Sequence, residues 1–167
     1  MDLFFDAAPT PKKRRVHFHE FMADVHERLN AWRKLTPDEI ARAPNRVRGA
    51  GDDPIPPVAR AIASDAKLLC FDEFQVTHIT DAMILSRLFD ALFAEGVTVV
   101  ATSNRAPDTL YEGGINRPLF LPFITRLKER CAIFELRSDR DYRLDRLIEA
   151  PSWHAPIDSH AIKALDT

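Results

Sequence analysis

Residues 68–73, Leu-Leu-Cys-Phe-Asp-Glu, decide the fold of this chain. Lys67 and the four apolar residues after it predict a strand over 67–71 that is buried on both faces, and such strands belong to parallel sheets covered by helices. Asp72 and Glu73 follow at the carboxyl end of that strand, the edge where open α/β sheets bind their ligands. The stretch therefore predicts both a fold class and the place of a site.

Predicted helices and strands alternate on both sides of this stretch. Gly96 is expected to end the helix that precedes the next strand. The 43–57 segment is rich in proline and glycine and predicts a long loop. Apolar spacing predicts helices over 20–34, 58–65, 79–94, 108–112 and 120–130, a further helix start at Thr36, and strands over 14–19, 97–102 and 132–136, with Val16 and Phe18 on one face of the first strand. This alternation predicts an α/β fold with a parallel sheet.

Composition describes an ordinary soluble globular domain. The 167 residues include 23 Lys and Arg against 25 Asp and Glu, a formal charge of −2, so no global charge favours nucleic acid as a partner. No apolar run approaches the roughly 20 residues of a bilayer-spanning helix, and the start does not resemble a signal peptide. Cys70 and Cys131 lie in apolar runs and are expected to be reduced core thiols, which favours a reducing compartment.

Two weaker patterns in the sequence do not predict a site. His17 and His19 would share one face of a strand, but no third metal ligand is evident, so a metal site there is not predicted. The basic run at 12–15 is expected to be a solvated turn rather than a phosphate or nucleic-acid contact.

The acidic pair after the buried strand has a defined chemical use in nucleotide hydrolysis. Asp72 could hold the Mg²⁺ that neutralises the phosphates, and Glu73 could polarise the attacking water. Asn104 follows the next strand, where its amide could orient a water or a phosphate oxygen. The alternatives are that the acidic pair only leaves the core for solvent, and that Ser103 and Asn104 form a common turn.

Several segments resemble the ZapE-type AAA+ ATPases, which are bacterial cell-division ATPases with mitochondrial relatives. The resemblance lies in 68–77 (LLCFDEFQVT), 79–89, 99–104, 110–124 (LYEGGINRPLFLPFI), 13–19 and 53–57. It spans most of 1–147, which we expect to be a partial AAA+ core. Residues 148–167 are expected to be a C-terminal tail, with the family's lid region missing or divergent.

The resemblance implies a three-layer P-loop NTPase sheet that uses ATP and Mg²⁺. Asp72 and Glu73 would be the Walker B pair, with Asp72 on the metal, and Asn104 would be the residue called sensor 1. Arg117 would be the arginine finger offered to a neighbouring subunit, although from the residues alone it would be a surface arginine. The resemblance further implies a homo-oligomeric ring, cell-division partners, peripheral association with the membrane and the bacterial cytoplasm, or mitochondrial quality control in eukaryotic relatives.

The chain also departs from the family pattern. His78 stands where the family has an acidic residue, which puts a helix-capping role there in doubt. No Gly-x-x-x-x-Gly-Lys-Ser/Thr run occurs, and the chain holds 5 glycines. The expectation is an ATPase core that lacks the first strand and the phosphate loop. One alternative is a non-catalytic remnant that binds partners through Arg117 and the 43–57 loop, and a weaker one is a phosphatase with Asp72 as nucleophile.

Overall fold

Three parallel strands form the centre of the fold in the computed structural model of this chain, which describes residues 1–136. The strands are β1 (Lys13–His17), β2 (Leu68–Asp72) and β3 (Thr98–Ala101), in the order β1-β2-β3. Residues Met1–Ala132 form one compact unit. The predicted end of the core at residue 147 lies outside the described residues.

Helices precede, connect and follow these strands. Gly96 follows α5 with φ +76°, a left-handed conformation that glycine adopts without steric cost, and it ends the helix as predicted. The helices are α1 (Asp2–Ala7), α2 (Phe18–Arg33), α3 (Pro37–Arg42), α4 (Ile55–Asp65), α5 (Ile79–Ala94) and α6 (Leu121–Arg130), with short 3₁₀ helices at Pro107–Thr109 and Arg117–Leu119. The predicted α/β class with a parallel sheet is confirmed.

The central strand β2 is buried on both faces, as its apolar run predicts. Leu69 and Phe71 face the main core, where the Phe71 ring lies 4.7 Å from that of Phe21 on α2 and 6.2 Å from that of Phe89 on α5. Cys70 points to the opposite face and is fully buried. Because aromatic side chains bury large apolar areas, this cluster joins the helices to the sheet.

Both cysteines are free thiols. Burial raises the pKa of the Cys70 thiol, and the nearby carboxylate of Asp72 raises it further. Burial also raises the pKa of Cys131, which is only partly buried at the end of α6. A raised pKa keeps each group as the unreactive thiol at neutral pH.

The first strand is shorter than predicted. It ends at His17, and Phe18 begins α2, so Val16 and Phe18 do not share a strand face and His19 is helical. The helical turn carries Phe18 into the core, where its ring lies 4.2 Å from that of Phe74. Burial of this aromatic side chain therefore overrides the strand-like alternation of the local sequence.

The predicted long loop is also shorter than expected, because α4 begins at Ile55 rather than residue 58. Pro56 and Pro57 occupy the first helical turn, where a missing backbone N–H breaks no helical hydrogen bond. The start signal at Thr36 is confirmed, since its hydroxyl and the Glu39 carboxylate form a capping box. A 3₁₀ helix at Pro107–Thr109 stands in place of the predicted helix over 108–112.

The predicted strand over 132–136 is wrong. Residues 132–136 form neither helix nor strand, and the side chains of Ile133, Phe134 and Leu136 are exposed. An alternating sequence becomes a strand only where a neighbouring strand takes up its backbone hydrogen bonds. Within residues 1–136 no strand pairs with this segment.

Candidate active site

Hydrogen bonds join the carboxyl ends of β2 and β3. The backbone N–H of Phe74 donates to the carbonyl of Thr102 at 2.7 Å, and the N–H of Thr102 donates to the carbonyl of Phe71 at 3.0 Å. The hydroxyl of Ser103 donates to the carbonyl of Phe74 at 2.8 Å. These bonds place Asp72 and Asn104 at the same edge of the sheet.

Glu73 has an unusual backbone conformation at this edge. Its φ is +55°, in the left-handed region that residues other than glycine seldom occupy. Such a conformation costs on the order of 1 kcal/mol and clusters at functional sites. The side chains of Glu73 and Asn104 are exposed, and neither forms a hydrogen bond within residues 1–136. Both are therefore available to a ligand.

Asp72 is held by an arginine from the neighbouring strand. Its side chain is 18% exposed, and Oδ2 accepts a hydrogen bond from Nε of Arg15 at 2.6 Å. The guanidinium of Arg15 also pairs with the carboxylate of Asp2 on α1. Within the described part of the chain, Oδ1 of Asp72 has no hydrogen-bond partner. One carboxylate oxygen is therefore fixed and the other is free.

The partners of Arg15 correct the prediction of a solvated basic turn at 12–15. Lys13, Arg14 and Arg15 lie in β1, and each has a partner outside the strand. Neighbouring strand residues alternate between the two faces of a sheet, so Lys13 and Arg15 share the face of Asp72 while Arg14 faces Asp24 on α2. Sequence reasoning missed Arg15, although period-2 alternation through the basic run would have placed it on the strand face opposite Arg14 and Val16.

Arg117 begins the second 3₁₀ helix. Its Nη2 donates to the backbone carbonyl of Asp108 at 2.5 Å, and its Nε is buried without a partner among the described residues. Across residues 1–136 it forms no hydrogen bond or ion pair with Asp72, Glu73 or Asn104.

The loop before Arg117 is built around a buried tyrosine. The Tyr111 hydroxyl donates to the carbonyl of Ile115 at 3.0 Å, and its ring packs 5.4 Å from that of Phe120. A Cβ at Gly114 would lie 2.4 Å from the Tyr111 ring, so glycine alone fits there without a shift. This packing fixes the loop that leads into Arg117.

The histidines singled out in the sequence form no metal site in the described residues. His78 precedes α5 as its N-cap, but its side chain makes no capping hydrogen bond. The rings of His17 and His19 lie 5.8 Å apart. Across residues 1–136, no group of three His, Cys, Asp or Glu side chains is arranged to hold a metal.

The oxygens at the strand ends nevertheless suit Mg²⁺ bound together with a nucleotide. In such sites Mg²⁺ takes one or two protein carboxylates and completes its shell with waters and phosphate oxygens. Asp72 offers its free Oδ1, and the exposed Glu73 and Asn104 are close along the edge. The glycine-rich run that would cradle the phosphates does not occur within the 167 residues.

Comparison with known proteins identifies the family. The family model described as AFG1-like ATPase matches residues 1–167. The chain belongs to the AFG1-like ATPase family. It is 40% identical to the cell division protein ZapE of Escherichia coli K12 over 166 residues, which are 99% of this chain and 40% of that protein.

Two eukaryotic proteins are similar to this chain, with identities close to that of the Escherichia coli protein. The chain is 48% identical over 143 residues to lactation elevated protein 1 homolog B of Danio rerio, covering 86% of this chain and 27% of that protein. It is 38% identical over 165 residues to an uncharacterized protein of Schizosaccharomyces pombe, covering 98% of this chain and 34% of that protein. The chain thus spans well under half the length of these relatives. No solved structure matches it significantly.

Membership of the AFG1-like family confirms the resemblance and the fold class. The three-stranded parallel sheet is the sheet of a P-loop NTPase-like α/β domain. None of the helices within residues 1–136 is both long and apolar enough to cross a bilayer. The roles of individual residues in this family member remain predictions.

Proposed function

We propose that this AFG1-like chain contributes the catalytic edge for Mg²⁺-dependent ATP hydrolysis. The observation that supports the proposal best is the joining of β2 and β3 through the hydrogen bond from Phe74 to Thr102. This bond brings two carboxylates and one amide to the ligand-binding edge of a parallel sheet. The membership of an ATPase family supports the same chemistry.

Each side chain at this edge has one role in the proposed reaction. Oδ1 of Asp72 would be the protein ligand of Mg²⁺. When bound, this ion would neutralise charge on the phosphates. Glu73 would accept the proton of the attacking water, and its exposed carboxylate leaves room for that water. The amide of Asn104 would orient the same water by hydrogen bonding. All three roles use atoms that have no hydrogen-bond partner within residues 1–136.

Arg117 would complete the site in a second subunit. An arginine near the γ-phosphate stabilises charge in the transition state and can raise the rate by orders of magnitude. To reach a neighbouring site, Arg117 would leave the carbonyl of Asp108, and the buried Nε would gain a partner. We therefore propose a homo-oligomeric ring.

The biological setting is proposed from the relatives. The Escherichia coli relative is named a cell division protein. We propose that this chain acts with division proteins in the bacterial cytoplasm, at the periphery of the membrane and without a nucleic-acid partner.

A second candidate function rests on the missing phosphate cradle. Because no Gly-x-x-x-x-Gly-Lys-Ser/Thr run is present in the 167 residues, the chain would bind ATP weakly unless another segment supplies that cradle. The chain would then be an interaction module that enters rings through Arg117 and the proline-rich segment before α4.

Steady-state ATP hydrolysis distinguishes the two functions. The assay compares the 167-residue chain with a version extended upstream to include a phosphate loop, each with its Glu73→Gln variant. Glu112→Gln is the matched control, since Glu112 is also an exposed glutamate. We expect Glu73→Gln to lower turnover of the active form about 100-fold or more, the usual effect of losing a general base. If Glu73→Gln hydrolyses ATP at the same rate as the unchanged sequence in both chain lengths, catalysis at this edge is contradicted.

A further inference from the structure

Arg15 and Asp72 face each other across the first two strands. In the parallel register Arg15 pairs with Cys70, and Asp72 stands two residues after Cys70. Residues two apart point to the same face of a strand. The register therefore places the guanidinium beside the carboxylate, on the face opposite the aromatic core.

Charged groups of both signs surround Asp72 on this face of the sheet. Arg15 pairs with two carboxylates, that of Asp72 on β2 and that of Asp2 on α1. These three groups carry a net charge of −1, and Lys13 and the amino terminus add positive charge nearby. The side chains of Arg15 and Asp72 are 33% and 18% exposed, so solvent screens the pair only in part.

The geometry also separates the two oxygens of Asp72. Nε of Arg15 fixes Oδ2 at 2.6 Å, while Oδ1 has no partner within the described residues. A carboxylate ligand held by a hydrogen bond on one oxygen is oriented for a metal on the other, and such supporting bonds commonly set metal affinity.

We propose that Arg15 is a positioning residue that orients Asp72 for a divalent cation and ties this carboxylate to helix α1 through Asp2. The inference rests on the proposed function, because it assumes that Asp72 is the cation ligand. Arg15 acts through Asp72 and is not itself a ligand. Loss of the guanidinium would leave the Asp72 side chain free to rotate away from the productive orientation.

Mn²⁺ binding measured by NMR tests the proposal without any activity assay. The 19.0 kDa chain is titrated with Mn²⁺ alone, and paramagnetic broadening of the backbone amides of Glu73 and Asn104 gives the dissociation constant. We expect Arg15→Gln to weaken binding about 10-fold or more, the usual effect of losing a supporting hydrogen bond. Arg15→Lys is expected to restore part of the affinity, since its ammonium can reach the same oxygen.

Arg14→Gln is the matched control. Arg14 is the preceding residue of β1 and pairs with Asp24 on the opposite face, so its loss removes the same charge and also breaks an ion pair. We expect this variant to bind Mn²⁺ as the unchanged chain does. Equal weakening in both variants would mean that net charge, not orientation, sets the affinity, and would overturn the proposal.

Three further outcomes would count against the inference. If Arg15→Gln binds Mn²⁺ as before and only its melting temperature falls, Arg15 has a structural role. If Arg15→Gln binds Mn²⁺ more tightly, Arg15 competes with the cation for Asp72. In either case the proposed function would stand as long as Asp72→Asn abolishes the broadening. If Asp72→Asn binds Mn²⁺ as tightly as the unchanged chain does, Asp72 is not the cation ligand. The cation site of the proposed function then fails, and the role of Arg15 fails with it.

Discussion

The backbone N–H of Phe74 donates to the carbonyl of Thr102 at 2.7 Å, just beyond the last paired residues of β2 and β3. This bond extends the connection between the strands past Asp72 and Glu73. It keeps the acidic pair beside Asn104 although the regular ladder ends at Phe71 and Ala101. The candidate site thus depends on hydrogen bonds made beyond the regular ladder, of which this is the shortest.

The left-handed backbone of Glu73 predicts a difference between two substitutions. Glycine adopts φ +55° freely and alanine does not, so Glu73→Gly should have a larger free energy of unfolding than Glu73→Ala, by about 0.5–1 kcal/mol. Urea denaturation of the two variants measures this difference. Both variants lose the carboxylate and should lose any Glu73-dependent activity.

Gln75 provides the control for this prediction. It is also exposed but does not have a positive φ, so Gln75→Gly should be less stable than Gln75→Ala. The same order of stability at both positions would show that the backbone of Glu73 is not strained.

The contact between Gly114 and Tyr111 predicts a large effect of a single methyl group. A Cβ at position 114 would lie 2.4–2.5 Å from the Tyr111 ring, which is buried and cannot swing out freely. Gly114→Ala should therefore lower the free energy of unfolding by about 1–3 kcal/mol, as overpacked sites do. Thermal and urea denaturation measure the loss.

Gly113→Ala is the comparison for that clash. A Cβ at position 113 meets no atom within 4 Å, although φ there is +71°. Its cost should be limited to backbone strain of about 1 kcal/mol. If Gly113→Ala proves as damaging as Gly114→Ala, contact with the Tyr111 ring is not the cause.

The ion pairs of Asp24 predict a defined pH dependence. Burial alone would raise the pKa of Asp24, but hydrogen bonds and charge from Arg28 and Arg14 outweigh it, and the pKa is lowered in the folded state. A group whose pKa is lower in the folded state stabilises the protein above its unfolded pKa of about 3.9 and loses that effect as the pH falls through the folded value.

Asp24→Asn tests this dependence. The variant should be less stable than the unchanged chain by about 1–2 kcal/mol at pH 7, because a partly exposed pair of charged hydrogen bonds is lost. Urea denaturation between pH 7 and pH 3 should show the difference shrinking below pH of about 4. Asp65→Asn is the control, since Asp65 is 59% exposed and makes one weaker contact with Arg28. A difference that stays constant with pH would exclude ionisation of Asp24 as its origin.

Helix α1 is predicted to depend on Lys13. This helix has no buried residue, and the Lys13 ammonium donates to the carbonyls of Phe5, Asp6 and Ala8 at 2.5, 3.2 and 3.1 Å. A positive charge at a helix C-terminus also interacts favourably with the helix dipole. Lys13→Met should therefore lower the hydrogen-exchange protection of α1 amides about 10-fold, the effect of losing roughly 1.4 kcal/mol.

Lys12→Met separates this effect from general loss of charge. Lys12 donates to the carbonyl of Ser64 on α4 at 3.0 Å, and within the described residues its side chain forms no hydrogen bond or ion pair with α1. Its substitution should leave exchange in α1 unchanged. Loss of protection in the β1–β2 pair with Lys13→Met would instead point to damage of the sheet.

Local sequence patterns predicted the secondary structure correctly where the apolar residues of a segment themselves indicate that it is buried. The run before Asp72 predicts a buried central strand, the stripe over 79–94 predicts α5 to the residue, and Gly96 marks its end. These patterns succeed because apolar periodicity and the residues at a segment's ends indicate which face packs on the core, regardless of which element that face contacts. The parallel class follows from the same information.

Local patterns failed where a distant partner decides the outcome. The alternation over 14–19 does not reveal that α2 begins at Phe18, whose ring packs against those of Phe71 and Phe74. The alternation over 132–136 does not show whether a neighbouring strand is present to pair with it. Secondary structure at such positions depends on tertiary contacts that override local preference.

The sequence by itself determined that this chain is an α/β protein of the AFG1-like ATPase family with an acidic pair at a sheet edge. Only the tertiary structure decided that Glu73 takes a left-handed backbone and that Arg15, 57 residues before Asp72, fixes one oxygen of its carboxylate. The reason is that strand register, set by packing over the whole sheet, determines which distant side chains meet, and no local pattern encodes it.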